Sequence, residues 1–347
     1  MHTPQPETIS EVIAVLPDDV YENPTSRGLR WVVRDLLVYA GLLAALALAD
    51  RWWLLLPLWL LAGLAISGLF ILGHDAAHGA LFRSKRLCYA LGQLCMLPSL
   101  HVYEAWCLGH NRIHHAHTVR ETMDYVWHPV TADEFRGMKR RQRLAHRIKW
   151  SWLGAGLYYG WDIWWKSMLR FEPPRKIAAD VRRDRRCVGA YAALVSLACL
   201  GLGAWTYGSA AGAAWMWFKL LGAPFLVWNY VIGWAVYVHH IAPDIAWRTR
   251  REWDRVAGQF EGTTVLYMPR WLNFFMHNIF LHLPHHVDMR IPFYQLPRAT
   301  QAITEAFRGA IRERRYRWLD YIRTTRRCKL FDFDAGRWLT YREALSG

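Results

Sequence analysis

Sixteen of the 347 residues are histidine, and eight of them fall into three short clusters. These are His74-Asp-Ala-Ala-His78, His110-Asn-Arg-Ile-His114-His115 and His282-Leu-Pro-His285-His286. On an α-helix, residues i and i+4 share a face, so His74 with His78, and His110 with His114, are spaced to grip a metal ion. Adjacent positions differ by about a hundred degrees of rotation. One member of His114-His115 and of His285-His286 can therefore face one metal while its neighbour faces a second. So many imidazoles exceed the needs of one ion and suit two.

Imidazole donors suit zinc, copper, iron or nickel. A zinc hydrolase of the H-E-x-x-H type needs a glutamate base between its histidines, and Asp75 begins the first interval instead. Soluble di-iron bundles use Glu-x-x-His pairs, and the chain contains no such pair. The six cysteines form no C-x-x-C, which argues against iron–sulfur, zinc-ribbon and c-type haem sites. By elimination the clusters point to a histidine-rich pair of irons. Iron implies oxygen chemistry, here on an apolar substrate because of the surroundings of the boxes.

Those surroundings are membrane spans. Arg51 to Gly73, Cys187 to Gly208 and Leu220 to Val238 are long apolar runs, with Arg51 the only charge inside their bounds. Trp31 to Ala49 is a fourth, interrupted early by Arg34 and Asp35. The spacing predicts an all-α integral membrane protein, with four transmembrane helices in two hairpins and a cytoplasmic helical cap holding the di-iron site. The hairpin tips are expected at Asp50-Arg51 and at Ser209 to Trp217, with Lys219 snorkelling from the edge of the fourth span. The corresponding organisation is a cytoplasmic N-terminal segment (1–30), a hairpin (31–73), a region with the first two boxes (74–186), a second hairpin (187–238) and a region with the third box (239–347). Leu87 to Val102, broken by Pro98, and Trp150 to Leu169 are expected to lie along the interface.

Charge sets the orientation. Lys and Arg total 43 against 28 acidic residues, a formal net charge of +15. The stretch Arg83 to Arg186 carries 20 basic residues and the part after His240 carries 18, while the tips are nearly bare. The positive-inside rule then places both termini and all three boxes on the cytoplasmic side. Disorder is excluded by 53% hydrophobic content, and nucleic acid is not an expected partner because no recognition motif accompanies the charge. The opening MHTPQPETIS lacks the pattern of a secretory signal.

At these residues the sequence resembles the membrane fatty acid desaturase superfamily, marked by HxxxH, HxxHH and a distal HxxHH. The stretches His74 to Phe82, His110 to Thr118, His282 to Ala299 and Leu16-Pro-Asp-Asp-Val-Tyr-Glu-Asn-Pro are similar to the acyl-lipid branch of Δ12 (omega-6) and omega-3 desaturases. The resemblance implies one more ligand after the fourth span. There Tyr237-Val-His239-His240-Ile-Ala-Pro243 puts His240 at the matching position and His239 where glutamine is usual.

The resemblance further implies two iron ions, O2 as co-substrate and an acyl chain carried on a membrane lipid or an acyl carrier. No cytochrome b5-like motif occurs, so a separate electron donor, ferredoxin or similar, is expected. Asp75 and Asp124 are candidates to hold histidine N–H groups, with His117 and His239 also near the metals. His2, His101, His128 and His146 are expected to be structural or solvated, and His277 to lie off the site. Trp106, Trp228, Tyr237, Phe293 and Tyr294 adjoin the boxes and are candidates to line an acyl channel, or else to anchor at the interface. A hydroxylase or ketolase of a fatty acid, alkane or carotenoid would use the same ligands. A membrane metal transporter or sensor is a different class, disfavoured because its sites sit within broken spans.

Overall fold

The computed structural model describes residues 5–346. In chain order the elements that matter here are helices α1 (Thr25–Leu48), α2 (Trp52–Ala77), α3 (Lys85–Met96), α4 (Ala178–Tyr207) and α5 (Ala223–His240), strand β1 (Val265–Tyr267), helix α6 (His282–Val287), strand β2 (Glu313–Arg315), helix α7 (Trp318–Arg327) and strands β3 (Leu330–Asp332) and β4 (Arg337–Leu339). The protein is mostly helical, and four helical stretches are long and apolar enough to cross a membrane: Thr25–Leu48, Trp52–Ala77, Arg175–Tyr207 and Ala210–His240. It is not purely α. β1 pairs in parallel with β2 and β3 pairs antiparallel with β4.

The chain divides into two compact units. One comprises Asn23–Leu108 and Tyr159–Ile232 and holds most of the apolar helix. Within the four spans, 61% of the apolar windows of α2 and of Ala210–His240 is buried in protein, against 22% for α1 and 17% for α4. The outer two leave Leu37, Leu48, Leu194, Leu197 and Trp205 exposed, which water would penalise and a hydrocarbon surround would not. The inner two approach closely where Gly63 faces α5. A Cβ there would lie 2.5 Å from Val227 Cγ1 and 3.0 Å from the Trp228 amide nitrogen.

Two expectations change in this unit, and one is met. The connection after α4 is only Gly208-Ser209, because Gly208 adopts φ +62 and Ser209 caps a helix that starts at Ala210. Ser209 to Trp217 is thus the beginning of the fourth span and not a loop. Lys219 consequently lies inside that span and turns inward instead of snorkelling. Its Nζ donates to the carbonyls of Ala47 and Ala49, to Asp50 and to the Tyr207 hydroxyl, at 3.1–3.3 Å, and the residue is fully buried. A buried ammonium is tolerated because its donors find acceptors, two of them carbonyls left over at the end of α1. Finally, α2 continues through the first histidine box to Ala77, with His78 as its cap.

The other unit comprises the residues up to Glu22, Gly109–Tyr158 and the chain from Gly233 onward. Its β1 strand fixes the approach to the third box, for Leu266 N donates to Phe280 O and His282 N to Thr264 O. The expected helix over Trp150 to Leu169 is interrupted. Trp150 closes the helix Arg140–Lys149, and a new helix starts at Ala155, beyond a turn at Gly154.

Candidate metal centre

The second box does not lie on a regular α-helix. Cys107–His114 forms a π-helix, whose wider turn of i→i+5 hydrogen bonds brings residues five apart, as well as four apart, toward one face. His110 meets His115, Nε2 to Nε2 3.1 Å, while its ring also stacks on that of His114 with centroids 5.3 Å apart, as the i, i+4 spacing predicts. His110, His115 and His285 each offer a ring nitrogen within 4.8 Å of the others. His114, though stacked on His110, offers its ring nitrogen within 4.8 Å of those of His240 and His286, while His240 also groups with His239 and His282. The neighbours His114-His115 and His285-His286 thus divide between clusters. In the membrane-helix unit, one turn of α2 sets the Nε2 atoms of His74 and His78 3.3 Å apart.

Hydrogen bonds determine which nitrogen each ring presents. His240 Nδ1 donates to the carbonyl of Gly262 at 3.0 Å and His282 Nδ1 to that of Ile279 at 3.2 Å. A carbonyl only accepts, so Nδ1 carries the proton in both and the Nε2 lone pair is available. His240 Nε2 is buried and has no hydrogen-bond partner in the protein, which leaves its lone pair free to take a metal ion. Gly262 must be glycine for its carbonyl to reach this place, since a Cβ would lie 2.4 Å from Gly258 O and 2.7 Å from Val119 Cγ2. Burial and the neighbouring imidazoles hold His282 and His286 well below the usual histidine value, so both stay neutral and able to coordinate.

Asp124 holds His114. Its Oδ1 accepts from His114 Nδ1 at 2.9 Å and from Val126 N at 3.0 Å, and its Oδ2 accepts from Val119 N at 2.9 Å. Burial raises this carboxyl, but His114 and the amide donor more than offset it, leaving it below the usual carboxylate range. Asp75 lies 3.1 Å from His74 Nδ1. His239 stacks on His282 with ring centroids 3.7 Å apart.

Two holding residues escaped the sequence. Gln259 accepts from His286 Nδ1 at 2.9 Å, and its amide donates to the carbonyl of His115 at 2.5 Å. Thr118 donates to the carbonyl of His114 at 2.8 Å and lies 3.2 Å from His286 Nδ1. Gln259 is 144 positions from His115, and no local spacing marks it.

Most other candidates lie away from these clusters. His117 is half-buried, takes a hydrogen bond from Arg120 and packs near Trp253. His277 has φ +47 and rests on Phe293, and Tyr294 bonds to the Glu22 carbonyl. His101 is fully buried, its Nδ1 on Ser99 O and its Nε2 on the Tyr159 hydroxyl; His128 and His146 bond Asp124 O and Tyr341. His2 lies outside the described residues. Trp106 does reach the first box, its ring centroid 6.3 Å from that of His74; with Trp228 it packs around Phe70 and His101, and Tyr237 sits between Trp127 and Tyr321. An apolar cavity of about 200 Å³ among the spans is bordered instead by Ile66, Leu100, Tyr191, Val195, Leu221 and Phe225.

Comparison with known proteins agrees with this chemistry. The fatty acid desaturase family model matches residues 51–318. A chloroplastic omega-6 fatty acid desaturase of Glycine max is 30% identical over 315 residues, covering 90% of this chain and 70% of that protein. The sn-1 oleoyl-lipid 12-desaturases of Synechocystis sp. and Anabaena variabilis are 27% and 28% identical, each over 94% of this chain and 90% and 91% of their own lengths. Clusters of histidines able to hold metal, four apolar helices and a match of this extent have one common explanation: the chain belongs to the fatty acid desaturase family and is an oxidoreductase.

Proposed function

We propose that the protein is an O2-dependent acyl-lipid desaturase that introduces the Δ12 double bond into oleoyl chains. The observation that carries the reading is the division of the second and third boxes into separate imidazole clusters with no carboxylate among their donors. The bond position is taken from the names of the relatives, which act on oleoyl-lipid or at omega-6. His74, His78, His110, His114, His115, His240, His282, His285 and His286 are the proposed ligands of two iron ions, with His239 at the edge of the set.

Bound iron supplies the activation of O2 that allows hydrogen to be removed from an unactivated methylene. The chain does the rest. Gly262, Ile279, Asp124 and Gln259 fix His240, His282, His114 and His286 by their Nδ1–H, so that this part of the site is preorganised before metal arrives. The buried, aromatic surroundings keep water from competing for the oxidant. The substrate acyl chain belongs in apolar space such as the cavity bordered by Val195 and Leu221. A ferredoxin-type protein is the proposed electron donor. The two hairpins, the cytoplasmic placement of the boxes and the orientation of both termini also belong to this proposal, supported by the basic flanks of the spans.

The test is expression in a host that makes oleate but no polyunsaturates, followed by mass spectrometry with double-bond localisation. Linoleoyl lipid that disappears in His114→Ala supports the proposal. A hydroxylated or ketone product would replace desaturation with the hydroxylase reading, and stoichiometric zinc with turnover would refute the oxygen chemistry.

A further inference from the structure

We propose that reducing equivalents reach the metal centre through a run of aromatic rings that begins at Trp318, and that the arginines around Trp318 dock an acidic one-electron carrier protein. The inference rests on the iron-oxidase reading and adds to it a surface and a route.

The route is a series of ring contacts in one unit. Trp318 is 41% exposed at the start of α7, and its centroid lies 5.8 Å from Trp234 on α5. Trp234 is 5.1 Å from Phe280, Phe280 is 5.2 Å from His239, and His239 is stacked on His282 at 3.7 Å. Everything inward of Trp318 is buried: Trp234, Phe280, His239 and His282 are all 5% exposed or less. Trp234 is further held by a 2.7 Å hydrogen bond from its Nε1 to the Tyr316 hydroxyl, so the ring cannot swing out of line. Contacting π systems carry electronic coupling better than solvent gaps, and this run joins the surface to a proposed ligand without a break.

The surface matches a negative partner. Residues 312–327 contain seven arginines and two carboxylates. Arg314, Arg315 and Arg317 border a recess whose floor includes Val238 and Ile241, on either side of His239 and His240. Arg315 and Arg317 are exposed; Arg314 faces Asp244 at 3.6 Å, and Asp320 in the same recess faces Arg323 at 3.5 Å. Complementary charge steers such encounters and makes them salt-sensitive. An anionic membrane would also attract these arginines. It would have no use, however, for a buried ring run leading inward, and the carrier protein accounts for both features.

The electron balance requires such a carrier. Removing two hydrogens from the acyl chain releases two electrons and two protons. Two further electrons, delivered singly by the carrier, and two protons from solvent complete the reduction of one O2 to two waters.

The experiment uses the full chain in detergent and a purified plant-type [2Fe–2S] ferredoxin, with binding and electron transfer measured separately. In the binding arm, Arg315→Glu/Arg317→Glu should weaken ferredoxin binding at least tenfold. Arg140→Glu/Arg141→Glu, with the same change in net charge on an exposed helix elsewhere, should stay within twofold. In the transfer arm, anaerobic reoxidation of reduced ferredoxin should slow at least fivefold in Trp234→Leu with binding unchanged, and Trp234→Phe should restore part of the rate. Equal weakening in the control pair, absent binding by the wild-type chain, or loss of binding to phosphatidylglycerol vesicles alone overturns the docking surface. An unchanged transfer rate in Trp234→Leu overturns the route. Purified chain without iron refutes the parent reading, and the binding arm distinguishes that failure from a misplaced dock.

Discussion

Asp124 accepts the Nδ1 proton of His114 across 2.9 Å while two backbone amides, Val119 and Val126, hold the same carboxylate. The histidine is therefore aimed by a group that is itself fixed at three points. Asp124→Asn keeps the size but cannot accept from all three donors. Iron affinity is expected to fall about 10–100-fold, with the helix content preserved. Iron per chain under chelator competition, alongside circular dichroism, checks this; wild-type retention would show that Asp124 only closes its loop.

Gln259 joins the two clusters by bonding His286 Nδ1 with its oxygen and the His115 carbonyl with its amide. Gln259→Leu strands the His115 carbonyl in a dry site and leaves His286 Nδ1 with only Thr118 at 3.2 Å, a cost of about 1–3 kcal/mol for a buried group left unpaired. The metal-free protein should melt earlier, and iron retention should drop as well. Gln259→Glu keeps an acceptor for His286 but sets a carboxylate oxygen against the His115 carbonyl, so it should rescue incompletely. A variant that melts and binds iron normally would remove Gln259 from the site.

His101 gives a pH prediction. Burial pushes it down to about 4, from an ordinary value of about 6.5. Between these values the unfolded chain binds more protons than the folded one, so stability rises with pH across the window. Its contribution is intact above pH about 6.5 and wanes as pH falls, reaching a penalty of about 3 kcal/mol below pH about 4. His101→Phe retains an aromatic ring against Phe70 and Trp228 and should flatten this part of the melting-temperature profile of the metal-free protein. An equally steep profile in the variant would assign the dependence to other groups.

Lys219 ties the end of α1 to Tyr207, at the end of α4. Lys219→Met removes the charge but leaves the Ala47 and Ala49 carbonyls without their donor. A loss of about 1–3 kcal/mol in detergent unfolding is expected, with iron content unchanged. A simultaneous loss of iron would show that this end of the bundle supports the centre.

The sequence made the spans and boxes legible for a simple reason: both are local. Twenty apolar residues or a pair of histidines at fixed spacing can be read without knowing what lies opposite. Gln259, Gly262 and the approach of Thr118 to His286 were invisible because each acts between residues far apart in the chain, one of them through a backbone carbonyl. Lys219 was misjudged because its depth depends on where the preceding helix starts, and that is decided by the left-handed turn at Gly208. The short strands were missed as well, since three residues carry too little periodicity to register.

The π-helical turn at Cys107–His114 works as a phase adjustment between two clusters. A regular α-helix advances a hundred degrees per residue and would bring His110 and His114 together, leaving His115 to point elsewhere. Widening the turn swaps their allegiance without altering the sequence spacing. Deleting Ile113 would shorten the interval to His115 to the four residues that an α-helix puts on one face. The same two histidines would then share a face of a regular helix, and His114, three places from His110, would have to find a new direction. Conformation, as much as composition, thus assigns each imidazole of this box to its cluster.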